Sequence, residues 1–190
     1  MSRSLLSAGP AAGFDQPFEM LEACHARMER SLALLERLGE HLEVCLAAGP
    51  GVDAQAREAA ADVLRYFDVA APLHHEDEER HVFIRLRDAG HAAMATRLRV
   101  EHQIMEREWA ALRPDLVAVQ DGSLAPRDLE AARARWRTYA ALYRGHLAAE
   151  EKLAFPVARD GLPPDAAHAM GQEMAHRRGV PHPAASGPGG

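Results

Sequence analysis

Apolar residues recur every three or four positions along most of this chain, the spacing that puts them on one face of an α-helix. Leu21, Met28, Leu32, Leu35, Leu42 and Leu46 form the first such stripe and predict a helix from about Gln16 to Ala47. Gly49-Pro50-Gly51 reads as a turn. Asp53 is a good N-cap for a second helix running to about Asp88, and Pro72 inside it predicts a kink. Ala89-Gly90 breaks the pattern before a third helix, about His91 to Val119, which Pro114 either bends or shortens. After Asp121-Gly122 a fourth helix covers about Pro126 to Arg159, with Trp136, Tyr139, Leu142, Tyr143 and His146 near one face. Pro126 suits a first turn, whereas Pro156 predicts a kink in the last. A short fifth helix is expected near Asp165 to Arg177.

Four long helices joined by short turns predict an all-α fold, an up-down-up-down antiparallel four-helix bundle. The expected organisation is a disordered lead-in over residues 1–16, the bundle over 17–160, a short C-terminal helix over 161–178 and a disordered tail over 179–190.

The polar positions carry a repeat. His74-His75-Glu76-Asp77-Glu78-Glu79-Arg80-His81-Val82-Phe83 and His146-Leu147-Ala148-Ala149-Glu150-Glu151-Lys152-Leu153-Ala154-Phe155 share the frame His-x-x-x-Glu-Glu-basic-x-x-Phe. Upstream of each lies His-x-x-Met-Glu-Arg, at His25 to Arg30 and at His102 to Arg107. The chain therefore reads as two divergent copies of a two-helix unit. Residues four apart stack on one helix face, so His74 pairs with Glu78 and His146 with Glu150. Leu147 occupies the slot of His75, which favours His74 as the counterpart of His146.

Composition narrows the function classes. Net charge is −6, so a nucleic-acid footprint is not indicated. No apolar run approaches the length of a membrane span, and Arg3 with Leu5-Leu6 is too weak for a secretion signal. Cys24 and Cys45 fall on one helix roughly 30 Å apart, beyond disulfide reach, which fits reduced thiols and a cytoplasmic location.

Imidazole together with carboxylate suits iron, manganese or zinc. One His on helices one and three, plus a His–Glu pair on helices two and four, gives four imidazoles and two carboxylates. That count suits two metals bridged by Glu78 and Glu150 better than a single zinc. In these motifs the chain resembles the hemerythrin-like, or HHE cation-binding, domains over about residues 18–160, down to the Glu-Glu-x-x-x-Phe-Pro ending at Glu150 to Pro156. The first copy has Ile84 in place of that proline.

The resemblance implies a non-haem di-iron centre held by His25, His74, Glu78, His102, His146 and Glu150, with zinc or manganese as possible substitutes. It further implies reaction with, or sensing of, a small oxidant: oxygen, peroxide or nitric oxide. The alternative is a non-catalytic iron-sensing, iron-donating or storage module. Oxygen carriers of the family place a second His four residues along the third helix, where this chain has Glu106. Reversible oxygen carriage is therefore not the expectation. No nucleic-acid or membrane partner is expected, and the chain would be a monomer or homodimer.

Other residues are assigned less directly. Glu29 is expected in a surface salt bridge, and Glu106 stands between ligand and surface. His75, Glu76 and Glu79 lie about 100° or more round the helix and would enter the site only if Pro72 rotated the register. His41, His81, His91, His168, His176 and His182 are expected on the surface. Tyr139 and Tyr143 are expected to pack in the core.

Overall fold

A computed structural model describes residues 13–49 and 51–180. Helix α1 spans Pro17–Ala48, begun by a proline in its first turn and closed by Gly49 at φ +92°, in the left-handed region that favours glycine. The central residue of the expected turn, Pro50, lies outside the described residues. Helix α2 runs over residues 54–88 and α4 over 129–159; α3 is Ala92–Asp121 and α5 is Pro164–Arg177. Asp53 caps α2 by accepting a hydrogen bond from the Ala56 amide at 2.8 Å. Each of the first four helices packs on its chain neighbours, and α1 closes the ring against α4. The result is the antiparallel four-helix bundle.

π-Helical turns stand where kinks are expected near Pro72 and Pro156. Helix α2 is interrupted at Tyr66–Ala70 and Glu78–Val82, and α4 at Glu150–Ala154. Each turn is closed by an amide reaching five residues back: Ala71 to Tyr66, Phe83 to Glu78, Phe155 to Glu150. A proline cannot donate, and its ring crowds the carbonyl four residues earlier, so a widened turn just before Pro72 and Pro156 relieves that crowding. The turn at Glu78 forms with Ile84 where the other copy has Pro156, so it belongs to the repeated motif and not to proline alone. Pro114 does not end α3, which continues to Asp121. It sits on an exposed stretch where the unpaired carbonyl one turn back can meet water.

Apolar side chains divide into two clusters. One contains Leu32, Leu35, Leu42, Ala60, Leu112, Leu116 and Trp136 toward the α1–α2 turn. The other contains Phe18, Leu21, Val82, Phe83, Leu98, Phe155, Met170 and Met174. Along α1 the order is Leu21, His25, Met28; along α3 it is Leu98, His102, Met105, so the histidines form a polar layer between the clusters.

Residues 13–16 precede α1. Phe14 packs on the second cluster, and a β-carbon at Gly171 of α5 would stand 1.6 Å from the Phe14 carbonyl oxygen. Only glycine permits that approach. The rest of the lead-in, 1–12, and residues 181–190 of the tail lie outside the described residues.

Candidate metal centre

Each bundle helix supplies its polar side chain at a position that periodicity would otherwise give to an apolar one. His25 comes from α1, His74 and Glu78 from α2, His102 from α3, His146 and Glu150 from α4, and all six are at most 2% exposed. Ionisable groups buried this deeply persist only when paired or when they ligate a metal.

The two carboxylates divide their oxygens between two histidine pairs. Oε1 of Glu78 lies 3.1 Å from His74 Nε2 and 3.4 Å from His25 Nε2, while its Oε2 lies 3.5 Å from His102 Nε2. Oε1 of Glu150 lies 3.0 Å from His146 Nε2 and 3.9 Å from His102 Nε2, while its Oε2 lies 3.4 Å from His25 Nε2. Two sets of four donors result, one of His25, His74, Glu78 and Glu150 and one of Glu78, His102, His146 and Glu150. Within each set one donor atom per residue falls inside 4.8 Å of the others. The sets share both glutamates.

Outer carboxylates set the imidazole orientation. His25 Nδ1 donates to Glu151 at 3.0 Å, His102 Nδ1 to Glu79 at 3.2 Å, and His146 Nδ1 to Glu101 at 2.8 Å. A carboxylate only accepts, so in each neutral ring the proton sits on Nδ1 and the Nε2 lone pair faces inward. The second Glu of each Glu-Glu pair thus serves the lone histidine of the opposite half. The motif phenylalanines cross in the same way, Phe155 stacking on His25 at 5.1 Å and Phe83 lying 5.2 Å from His102.

The donor chemistry of this arrangement fits a bound cation. The Nε2 atoms of His102 and His146 face each other at 3.0 Å. Two inward lone pairs at that separation repel unless a positive species stands at them. His74 Nδ1 and Nε2, Glu78 Oε2 and both Glu150 oxygens are buried without a hydrogen bond of normal geometry. Unsatisfied donors and acceptors at this depth are costly, so their convergence fits metal ligation. With protons alone the same charges balance internally. Burial opposes the charged form of His25, but its hydrogen bonds to the Glu150 and Glu78 carboxylates outweigh it and push the ring up to about 9. Burial likewise opposes charge on His74 and Glu78, yet their mutual attraction holds His74 well above and Glu78 well below the ordinary value.

All six predicted residues converge in one buried layer, divided between the two donor sets. His75 stays outside both sets: the ring stacks on His102 at 3.9 Å and shares a hydrogen bond with Tyr143 Oη at 3.2 Å. Burial, then the His102 charge, holds His75 well below the ordinary value. Tyr139 and Tyr143 are buried among aromatic rings as expected. Glu106 is exposed, and Glu29 pairs with Arg144 at 2.9 Å. Glu79 is an orienting partner, as are Glu101 and Glu151, which the motif reading missed. Their signal was available only after the helices were paired in space. Three histidines placed on the surface are not fully exposed: His81 contacts Glu173 of α5, His41 sits beside Cys45 and Asp53, and His168 is partly buried. The structure describes nothing of His182.

Comparison with known sequences agrees with this geometry. The profile of the hemerythrin HHE cation-binding domain matches residues 16–158. An uncharacterized protein of Haemophilus influenzae is 30% identical over 174 residues, 89% of this chain and 94% of that protein.

Proposed function

The chain belongs to the hemerythrin HHE cation-binding domain family, and we propose that its histidine–carboxylate cage holds two iron ions through His25, His74, Glu78, His102, His146 and Glu150 and reacts with a small oxidant. The observation that carries this reading is the splitting of each glutamate's oxygens between the two histidine pairs. Four donors close a tetrahedral ion, whereas an ion of octahedral preference keeps roughly two positions open. Iron would supply those positions and a one-electron couple that zinc lacks.

The chain's own groups prepare that site. Glu78 and Glu150 bring the negative charge that offsets paired cations in a dry interior. Glu79, Glu101 and Glu151 hold the imidazole protons on Nδ1, away from the inward-facing donors. Phe83 and Phe155 cover two of the rings and exclude water from that side. Dioxygen, peroxide or nitric oxide is small enough for such a closed layer. Among the described residues no helix is long and apolar enough to cross a membrane. The free Cys24 and Cys45 suit a reducing cytoplasm, where we place the protein.

Anaerobic reconstitution with ferrous iron tests the proposal. The expected result is about two irons per chain, an optical change with nitric oxide or peroxide, and loss of the added peroxide. Iron uptake with a large thermal shift but no spectral change or peroxide loss would instead support a storage or sensing module. Exclusive uptake of zinc would overturn the iron assignment.

A further inference from the structure

At the opposite end of α1 a second set of donors converges, and we propose that His41, Cys45 and Asp53 form a surface site for a zinc-class divalent cation. His41 and Cys45 are four residues apart, on one face of α1, and Asp53 is the N-cap of α2 across the connecting turn. Sixteen residues of helix separate His41 from His25, about 24 Å, so this site is independent of the buried cage.

The distances are those of ligands around one ion. His41 Nε2 lies 2.9 Å from Asp53 Oδ2 and 3.3 Å from Cys45 Sγ, and Sγ lies 3.6 Å from the same Oδ2. Tetrahedral zinc with bonds of about 2.0–2.1 Å to nitrogen or oxygen and about 2.3 Å to sulfur sets ligand atoms about 3.3–3.6 Å apart. The 3.6 Å edge between Cys45 and Asp53 already matches, and the two edges from His41 Nε2 need to open by only about 0.3–0.4 Å. Asp53 serves both roles without conflict, because Oδ1 caps the helix at Ala56 while Oδ2 faces the other donors.

Two plainer readings fit less well. A nucleophilic cysteine relay needs the thiol and the carboxylate on opposite imidazole nitrogens. Here both face Nε2, which is how ligands converge and not how a proton is passed. A simple cap contact accounts for Oδ1 but not for the thiol. The partial exposure of all three residues gives an ion access from solvent and leaves a fourth position for water. On binding, the Cys45 thiol proton leaves to solvent and the thiolate sulfur takes its place on the metal.

Cobalt(II) titration of the full chain, already loaded in the cage, reads the site directly, because a thiolate on cobalt gives a near-ultraviolet charge-transfer band and the cage has no thiolate donor. The band should appear in the wild type and in Cys24→Ser, and be lost in Cys45→Ser. Asp53→Asn keeps the cap, since asparagine also caps, and should weaken cobalt binding with an unchanged melting temperature. Zinc should slow iodoacetamide labelling of Cys45 but not in His41→Ala. A band that survives in Cys45→Ser, or Cys45 labelling that zinc leaves unaltered, would overturn the assignment whatever the cage contains.

Discussion

Glu151 accepts a hydrogen bond from His25 Nδ1 at 3.0 Å across 126 residues of sequence. The carboxylate is half exposed, so it costs the fold little, yet it fixes the tautomer and direction of a buried imidazole. Glu151→Ala should lower metal affinity about 10–100-fold with unchanged helix content, and Glu151→Gln should restore part of it. Chelator competition measures this. Equal affinities in all three proteins would remove Glu151 from any role in the cage.

Glu78 and Glu150 contribute to both donor sets, so in the proposed di-metal centre each would be tied to both ions. Glu78→Gln should therefore reduce occupancy at both positions, whereas His74→Ala should empty mainly one. Metal counted by elemental analysis after reconstitution separates the two patterns. Loss of a single metal from both variants would mean that the carboxylates do not bridge.

Metal removal should also cost stability, because a preformed set of inward donors exists only in the folded state. With free metal about a thousandfold above its Kd, binding adds about 4 kcal/mol, or roughly 8–16 °C for a chain of this size. Thermal melts with and without chelator check this. A shift that persists in Glu78→Gln would place the stabilising ion elsewhere.

Much of this centre was legible before any coordinates. The frame shared by residues 74–83 and 146–155 located both carboxylates because helical spacing alone decides which side chains lie together on one helix. The orienting partners were not legible in the same way. Glu101 meets His146 from another helix, and only the packed bundle specifies which exposed acid faces which ring nitrogen. Prolines 72 and 156 signalled where the helices are irregular, but not that the irregularity includes a π-helical turn. A kink and a π-turn both relieve the same ring–carbonyl crowding, and the choice between them depends on what the turn must present to the interior. His41 shows the remaining gap, since its partner Asp53 is reached through a turn whose geometry the sequence does not specify.

Away from the cage, Asp68 accepts three hydrogen bonds from Arg113, with Nε shared between both oxygens, and one from Trp109. The Arg113 hydrogen bonds hold its carboxyl below the ordinary value, against a smaller opposing effect of burial. A depressed folded value stabilises above the unfolded carboxylate range and is lost as pH falls through the folded value. Asp68→Asn should therefore cost up to about 1 kcal/mol at pH 7, given the partial exposure of the pair, and almost nothing once the carboxyl is protonated in the wild type. Urea denaturation at neutral and strongly acidic pH measures the difference. An equal cost at both would assign the effect to packing around Trp109.

Asp77 is fully buried beside Glu78 in sequence but faces away from the cage, toward Arg177 and Arg178 at the end of α5. Both guanidiniums are themselves mostly buried, so removing the acid takes from Arg178 the carboxylate it pairs with and leaves Arg177 with Glu173 alone. Breaking a buried pair from one side costs about 3–5 kcal/mol. Because α5 is otherwise held by Met170, Met174 and the Gly171–Phe14 approach, that cost should appear as local release of α5 before the bundle melts. Asp77→Asn should therefore speed tryptic cleavage after Arg177 and Arg178 while metal content stays at the wild-type level. If metal were lost with the cleavage rate unaltered, Asp77 would be supporting the Glu78 turn and not anchoring the C-terminal helix.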